Sequence, residues 1–180
     1  MTRLAYAFLP LAAAGFAAVL VMHIAALFGV TWIFDHWLAY LGPGLFVVWL
    51  PTILIMGSLT RDFKQKEVWR AALRGCPAWM RRAQWALFGY AWVGFFALPL
   101  IFGGGMDNPA NKARSMSAVL LTFYSIAATV FYSATRAGKI DVGRRCLNGH
   151  RISPLAKFCD ECGAPVQASP VEPAANSMLP

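Results

Sequence analysis

The feature that most constrains this chain is the distribution of its charged side chains. Four stretches contain no Asp, Glu, Lys or Arg: Leu4 to Phe34, His36 to Thr60, Ala83 to Met106, and Ser115 to Thr135. A bilayer core of ~30 Å requires about 20 apolar residues in a helix, and a backbone inside lipid must satisfy its own hydrogen bonds. We therefore expect four transmembrane helices, near residues 8–32, 42–60, 84–104 and 116–135.

The overall composition leads to the same class of protein. Hydrophobic residues make up 58% of the 180 residues and charged residues 13%, whereas soluble domains contain roughly 25% charged residues. This chain has too little polar surface to cover a soluble globule of its size. Four cysteines, and glycines and prolines without a repeat period, exclude a disulfide-rich scaffold and collagen. The prediction is an all-α integral membrane protein with the lipid bilayer as its surroundings.

The Lys and Arg residues predict the orientation of the spans. Only Lys112 and Arg114 fall on one side of a four-span topology, and the other fourteen of the sixteen fall on the opposite side: Arg3, Arg61, Lys64, Lys66, Arg70, Arg74, Arg81, Arg82, Arg136, Lys139, Arg144, Arg145, Arg151 and Lys157. Because cations next to membrane ends stay in the cytoplasm, we expect both termini there. A cleaved signal peptide is the competing interpretation of the first span, but that apolar run is longer than a signal sequence needs.

The loop over residues 61–82 has the pattern of an interfacial amphipathic helix. Apolar residues recur at roughly helical spacing among basic ones, and the helix is expected to stop before Pro77; the apolar set is Phe63, Val68, Trp69, Ala72, Leu73 and Cys76. The segment from Ala78 to Arg82 is interpreted as a second interfacial anchor. Cys76 is expected to be an ordinary thiol at the interface.

Within the spans, small and hydroxylated residues mark one face of the fourth helix: Ala118, Thr122, Ser125, Thr129 and Ser133. Small residues allow close helix contact in lipid, so this face is predicted to pack inward against Ala14 and Ala18 of the first span. Pro51 and Pro99 are expected to kink or end the second and third helices.

Few ionisable groups lie within the predicted spans, although such groups usually mark proton or substrate paths. His23 is interpreted as a neutral imidazole bonded to a neighbouring helix, with a proton relay as the alternative. Asp35 and His36 are expected to cap a turn at the outer end of the first span; a metal site at His36 lacks companion ligands.

The polar tail after Thr135 contains the motif with the highest chemical specificity. Four residues of the types that bind metals occur within a stretch of seventeen: Cys146, His150, Cys159 and Cys162. Zinc prefers sulfur and nitrogen donors in pairs separated by short turns, and Gly149 and Gly163 fit those turns. Disulfides are the alternative, but the tail is predicted to be cytoplasmic and reducing, and three clustered cysteines cannot pair evenly.

The segment from Ala156 to Pro165, with Phe158-Cys159-Asp-Glu-Cys162-Gly163, resembles the second half of the short zinc ribbons appended to many bacterial membrane proteins. Each ligand pair with its short turn is called a knuckle here. The first knuckle, Cys146 to His150, differs from the commonest form of these ribbons, because His150 stands where a second cysteine is usual. The helical part also resembles uncharacterised four-span bacterial proteins, through Cys76-Pro77-Ala-Trp79 and Phe123-Tyr124-Ser125. The resemblance implies a small zinc ribbon, an inner-membrane location and no particular activity.

A site with four protein ligands is closed, so the predicted Zn²⁺ is structural. Ile152, Leu155 and Phe158 are expected to supply the apolar patch of the small module. The predicted domains are a four-helix transmembrane domain over 1–140, a zinc ribbon over 141–167, and a disordered tail over 168–180.

The functional hypothesis is a non-enzymatic adaptor or accessory subunit whose zinc ribbon binds a protein partner. A small transporter or channel component is the alternative, and self-association is left open. An enzyme is disfavoured because the predicted spans do not bring a nucleophile and a base to the same depth in the membrane. Nucleic-acid binding is disfavoured because Asp160 and Glu161 lie within the second knuckle.

Overall fold

The computed structural model describes residues 2–61, 63, 65–97, 101, 105–140, 146–150, 152, 157–159 and 161–165. The chain divides into two compact units, 1–140 and 141–180. The described residues of the first, called here the helical unit, include the α-helices α1 (Thr2–Leu27), α2 (Trp32–Thr60), α3 (Val68–Ala72), α4 (Ala78–Phe96) and α5 (Pro109–Ile140). Short 3₁₀ turns lie at Gln65–Glu67 and Gly105–Asp107. The predicted all-helical class is confirmed for this unit.

Three of the described helices are long and apolar enough to cross a membrane: α1, α2 and α5. The predicted third span, 84–104, begins within α4, which has 19 residues and is not among the three. Its first turns carry Arg81, Arg82 and Gln84, which lower its hydropathy. Residues 98–100 and 102–104, including Pro99, lie outside the described residues.

The boundary between the first two helices differs from the prediction. α1 ends at Leu27 because Gly29 adopts a φ of +80°. The amide of Gly29 donates to the Ala26 carbonyl (3.1 Å) and that of Val30 to the Ala25 carbonyl (3.0 Å), the two bonds of a Schellman motif. α2 then starts at Trp32, ten residues before the predicted start. The predicted break over 33–41 is therefore wrong, and Asp35 and His36 lie in the first turns of α2.

Of the two outcomes predicted at Pro51, a kink or the end of the helix, the helix end is wrong. α2 continues through Pro43 and Pro51 to Thr60. In the same turn the Thr52 hydroxyl donates to the Val48 carbonyl at 2.8 Å. The carbonyl that Pro51 leaves without an amide donor is that of Val47, four residues earlier. Membrane helices tolerate proline because neighbouring groups can satisfy such a carbonyl.

The loop between α2 and α4 contains a much shorter helix than predicted. α3 covers five residues, and a turn over residues 73–76 follows it. In this turn the Gly75 amide donates to the Ser133 hydroxyl at 3.0 Å, and Cys76 is buried. The turn packs against α5 through this bond. In a helix that continued to residue 76, the Gly75 amide would instead donate to a carbonyl of its own helix. The predicted anchor from Ala78 to Arg82 is the beginning of α4.

α5 is the packing centre of the helical unit. Of its most apolar stretch 67% is buried, against 17% for α1 and 22% for α2. α1 runs antiparallel to it: the Phe8 ring lies 6.0 Å from that of Phe131, and Gly15 lies against the Tyr124 ring. Each step of seven residues along α1 thus matches seven along α5 in the opposite direction. The buried seam of α1 repeats with the same period, at Ala5, Ala12, Val19 and Ala26, as in antiparallel coiled coils.

The hydroxyl stripe of α5 is buried as predicted, but its partner is different. Ala118, Thr122, Ser125, Thr129 and Ser133 are at most 6% exposed. Instead of contacting Ala14, which is exposed, the stripe faces α4 and the turn over 73–76. α1 packs against the face of α5 that carries Tyr124 and Phe131. The hydroxyl stripe lies on another face of α5, and α4 packs there.

Two arginines bind the carboxyl ends of neighbouring helices. Arg114 donates to the carbonyls of Ala26 (3.1 Å) and Leu27 (3.5 Å) at the end of α1. Arg74 donates to the Leu59 carbonyl (3.2 Å) at the end of α2. Terminal carbonyls lack helical partners and carry partial negative charge, so each guanidinium holds a helix end in place.

Candidate metal centre

The four predicted metal ligands meet in the second unit. The ligand atoms of Cys146, His150, Cys159 and Cys162 all lie within 4.8 Å of one another. Cys146 and Cys159 are buried, His150 is half-buried and Cys162 is exposed. The group could hold a metal ion, and in the described part of the chain it is the one such cluster of His, Cys, Asp or Glu.

Two tight turns aim these side chains at a common point. In the first, the Gly149 amide donates to the Cys146 carbonyl (2.8 Å), and the Cys146 amide donates to the His150 carbonyl (3.0 Å). In the second, the Gly163 amide donates to the Cys159 carbonyl (2.8 Å). Gly149 has a φ of +82° and Gly163 a φ of +69°, values that side chains rarely tolerate. The glycines are therefore required by the turns.

A single antiparallel bridge pairs Phe158 with Pro165 beside the second turn. The Cys159 amide also donates to the Ala164 carbonyl at 2.8 Å. These bonds bring the chain back on itself immediately after Cys162. The knuckle is consequently held from both sides of its cysteine pair.

One distance between ligand atoms matches the edge of a tetrahedral zinc site. The Sγ atoms of Cys146 and Cys162 are 3.7 Å apart. Two sulfurs at ~2.3 Å from one tetrahedral ion would lie about 3.8 Å apart. A disulfide requires about 2.05 Å, so these two thiols are not bonded, and all four cysteines of the chain are free.

The imidazole of His150 has a defined orientation. Its Nδ1 lies 3.8 Å from the Cys159 Sγ, and its Nε2 lies 3.6 Å from an oxygen of the Glu161 carboxylate. One ring nitrogen therefore faces the thiols and the other faces an acidic side chain.

The apolar patch of this unit is smaller than predicted. Ile152 is buried together with Cys146 and Cys159. Phe158, which is predicted in the patch, is 59% exposed and forms the backbone bridge to Pro165. Leu155 lies outside the described residues.

His23 of the helical unit is buried between three helices. His23 is 3% exposed; its Nδ1 lies 2.7 Å from the Ser117 hydroxyl and its Nε2 2.6 Å from that of Tyr90. Ser117 donates to the carbonyl of Ala113, so Nδ1 donates to Ser117. His23 thus joins α1, α4 and α5 through two hydrogen bonds, in line with the prediction that it bonds a neighbouring helix.

Cys76, predicted to be an ordinary thiol at the interface, is a buried thiol. Its Sγ lies 3.3 Å from the Thr129 carbonyl, and burial raises the pKa of the thiol to about 11. Because the thiolate is the reactive form, the raised pKa and the burial both lower the reactivity of this cysteine at neutral pH. It is also absent from the metal cluster.

Sequence reasoning missed several polar residues that connect helices, among them Tyr90, Ser117 and Gln84. The Gln84 side chain, 6% exposed, contacts the Ser125 hydroxyl at 2.9 Å. A polar residue inside an apolar stretch is a signal for such a bond, but its partner depends on which helices are neighbours.

Comparison with family models, with curated proteins and with solved structures finds no match to this chain.

Proposed function

We propose that this protein is a four-span, non-enzymatic membrane protein whose C-terminal unit is a structural zinc module that binds a protein partner. The observation that carries the proposal is the convergence of Cys146, His150, Cys159 and Cys162 on one point. The number of spans, the orientation, the metal and the partner are each supported by a separate argument.

The register of α4 on α5 supports a fourth span. Ser125 bonds Gln84, Thr122 donates to the Leu87 carbonyl (3.4 Å), and Ser115 donates to the Gly94 carbonyl (3.1 Å). From Gln84 to Gly94 the helix rises about 15 Å. Because α4 runs antiparallel along a helix that is itself able to cross a membrane, it shares that helix's depth.

With four spans, the cation distribution supports a topology with both termini and the loop over residues 61–82 in the cytoplasm. The proposed location is the inner membrane of a bacterium, as the resemblance to appended zinc ribbons implies. Exposed Arg61, Arg70, Arg81 and Arg82 suit contact with anionic headgroups, whose attraction for each basic residue is about 1 kcal/mol. The turn over residues 105–107, between α4 and α5, would then face outward.

A labelling experiment tests this topology. Asp107 is exposed in the Gly105–Asp107 turn, so a Cys introduced by Asp107→Cys is expected to react with a membrane-impermeant maleimide in intact spheroplasts. A second variant, Arg61→Cys, should react only after permeabilisation. Arg61 follows the carboxyl end of α2, which the proposed topology puts in the cytoplasm. The reverse pattern would invert the topology, and labelling of both sites in intact cells would remove α4 as a span.

The donor set favours zinc in a structural role. Three thiolates and one imidazole are soft to borderline ligands in a tetrahedral arrangement, which suits Zn²⁺. All four positions are supplied by the chain, so no position remains for a reactive water molecule. The metal would contribute folding free energy to a module too small to form a sufficient apolar core.

Two exposed apolar side chains support protein binding by the module. Leu147 is 80% exposed and Phe158 is 59% exposed. Each lies next to a metal ligand, on a backbone held by the two turns. A rigid surface loses little conformational entropy on binding, and aromatic residues are frequent anchors of interfaces.

Affinity purification in mild detergent, from cells at native expression, tests the docking hypothesis. Leu147→Ser combined with Phe158→Ser should leave zinc bound but reduce any co-purifying partner at least tenfold, because the ligands remain and the anchors are lost. Lys157→Ala, an exposed neighbour, is the matched control and should retain the partner. If the double variant and a chain lacking residues 144–180 both keep every partner and full cellular activity, the function lies in the helical unit and the transport hypothesis takes first place.

A further inference from the structure

The orientation of His150 determines which nitrogen can face a metal. Nδ1 lies on the side of the thiols, 3.8 Å from the Cys159 Sγ. Nε2 lies on the opposite side of the ring, 3.6 Å from the Glu161 Oε2. Glu161 is itself in the turn between Cys159 and Cys162. The second ligand pair therefore also provides a carboxylate next to His150, which belongs to the first pair.

We propose that His150 binds the metal through Nδ1 and that Glu161 is a positioning residue, which accepts the Nε2–H and thereby selects that tautomer. This inference rests on the proposed zinc site. It adds to that site a residue outside the four ligands and assigns the ligand atom of the histidine.

The short first knuckle supports coordination through Nδ1. The Cys146 amide donates to the His150 carbonyl, which holds the backbone of the histidine close to the cysteine. Nδ1 is bonded to the ring carbon that joins the side chain, whereas Nε2 lies about 2 Å further from the backbone. With the backbone so near the thiols, the proximal nitrogen can reach a shared ion without an extended side chain.

The carboxylate has a chemical role in such a site. A neutral imidazole that uses Nδ1 as a ligand must carry its proton on Nε2. A carboxylate that accepts this proton in a hydrogen bond fixes the tautomer and ring orientation and makes the ligating nitrogen more basic. The present separation of 3.6 Å is longer than a hydrogen bond. The Glu161 side chain is 65% exposed, so a rotation of this side chain can close the gap to the ring.

The inference is tested with the full chain in detergent micelles and zinc as the only added metal. Chelator competition should show that Glu161→Ala weakens zinc binding about tenfold, the lower end of the effect of outer partners. Glu161→Gln, whose amide oxygen can still accept the proton, should lose less. Asp160→Asn is the charge control because it removes the same charge one residue away in sequence.

Nitrogen NMR of isotope-labelled histidine gives a readout that a purely structural role would not change. In the zinc-bound wild type, the His150 Nδ1 is expected to be metal-bound and Nε2 protonated, and Glu161→Ala should shift the Nε2–H resonance. Metal-bound Nε2, or equal losses for Glu161→Ala and Asp160→Asn, would overturn the inference while the zinc site stands. A wild-type chain that binds no zinc would instead overturn the proposed function.

Discussion

Replacing Cys159 with serine is expected to abolish stoichiometric zinc binding and to unfold the C-terminal unit, while the helical unit stays folded and inserted. Cys159 is 3% exposed and lies in the buried cluster with Cys146 and Ile152. Structural zinc contributes roughly 10–16 kcal/mol in small peptides, far more than the burial of Ile152 can provide. The measurement is zinc content per chain, which should fall from about one to less than a tenth of that value.

Proteolysis shows which unit is affected. Limited digestion of the Cys159→Ser variant should remove the C-terminal segment and leave a protected fragment of about 140 residues, in accordance with the two compact units. Cys76→Ser is the matched control, since Cys76 is a free thiol outside the metal cluster, and it should retain zinc. A Cys159→Ser variant with full zinc content would contradict the proposed ligand set.

A methyl group at Gly75 is expected to destabilise the helical unit by roughly 2–4 kcal/mol, through overpacking and a lost hydrogen bond. A Cβ at this position would lie 2.5 Å from the Ser133 carbonyl oxygen and 2.9 Å from its Cα. Backbone atoms of a central helix cannot move aside as a flexible side chain can. The Gly75→Ala variant should therefore unfold at a markedly lower SDS fraction than the wild type.

Gly89→Ala is the control for this effect. Gly89 lies in the interior of α4, and a Cβ there meets no atom within 4 Å. Alanine is the better helix former by about 0.5–1 kcal/mol, so the stability of this variant should be unchanged or slightly higher. Equal unfolding curves for the two variants would mean that the turn over residues 73–76 does not pack on α5.

The metal cluster was predictable because its information is local. Both pairs of ligands lie within five residues of each other, and Gly149 and Gly163 mark the turns that direct them. The partner of Nε2 was not predictable in this way. Whether Glu161 or another acidic residue faces the ring depends on how the two knuckles meet, which is a contact across nine or more residues of chain.

The helical class was likewise predictable from charge-free length, whereas one boundary was not. The predicted break over 33–41 assumed that Asp35 and His36 interrupt a helix. Gly29, six residues earlier, ends α1 through its left-handed conformation. That glycine was visible in the sequence, but glycines are common within membrane helices, and the two carbonyl bonds that identify the turn exist only in the folded chain.

The sequence by itself determined the apolar helices, the asymmetry of the cations and the four ligands, because periodicity, charge and ligand spacing act within one segment. The tertiary structure alone decided that α5 is the centre, that its hydroxyl stripe faces α4, and that Gly75 lies against Ser133. The physical reason is that an apolar helix in lipid has several acceptable faces. Which face is buried depends on the seven-residue seam with α1 and on the hydrogen bonds left for α4, and both require the partner helices to be in place.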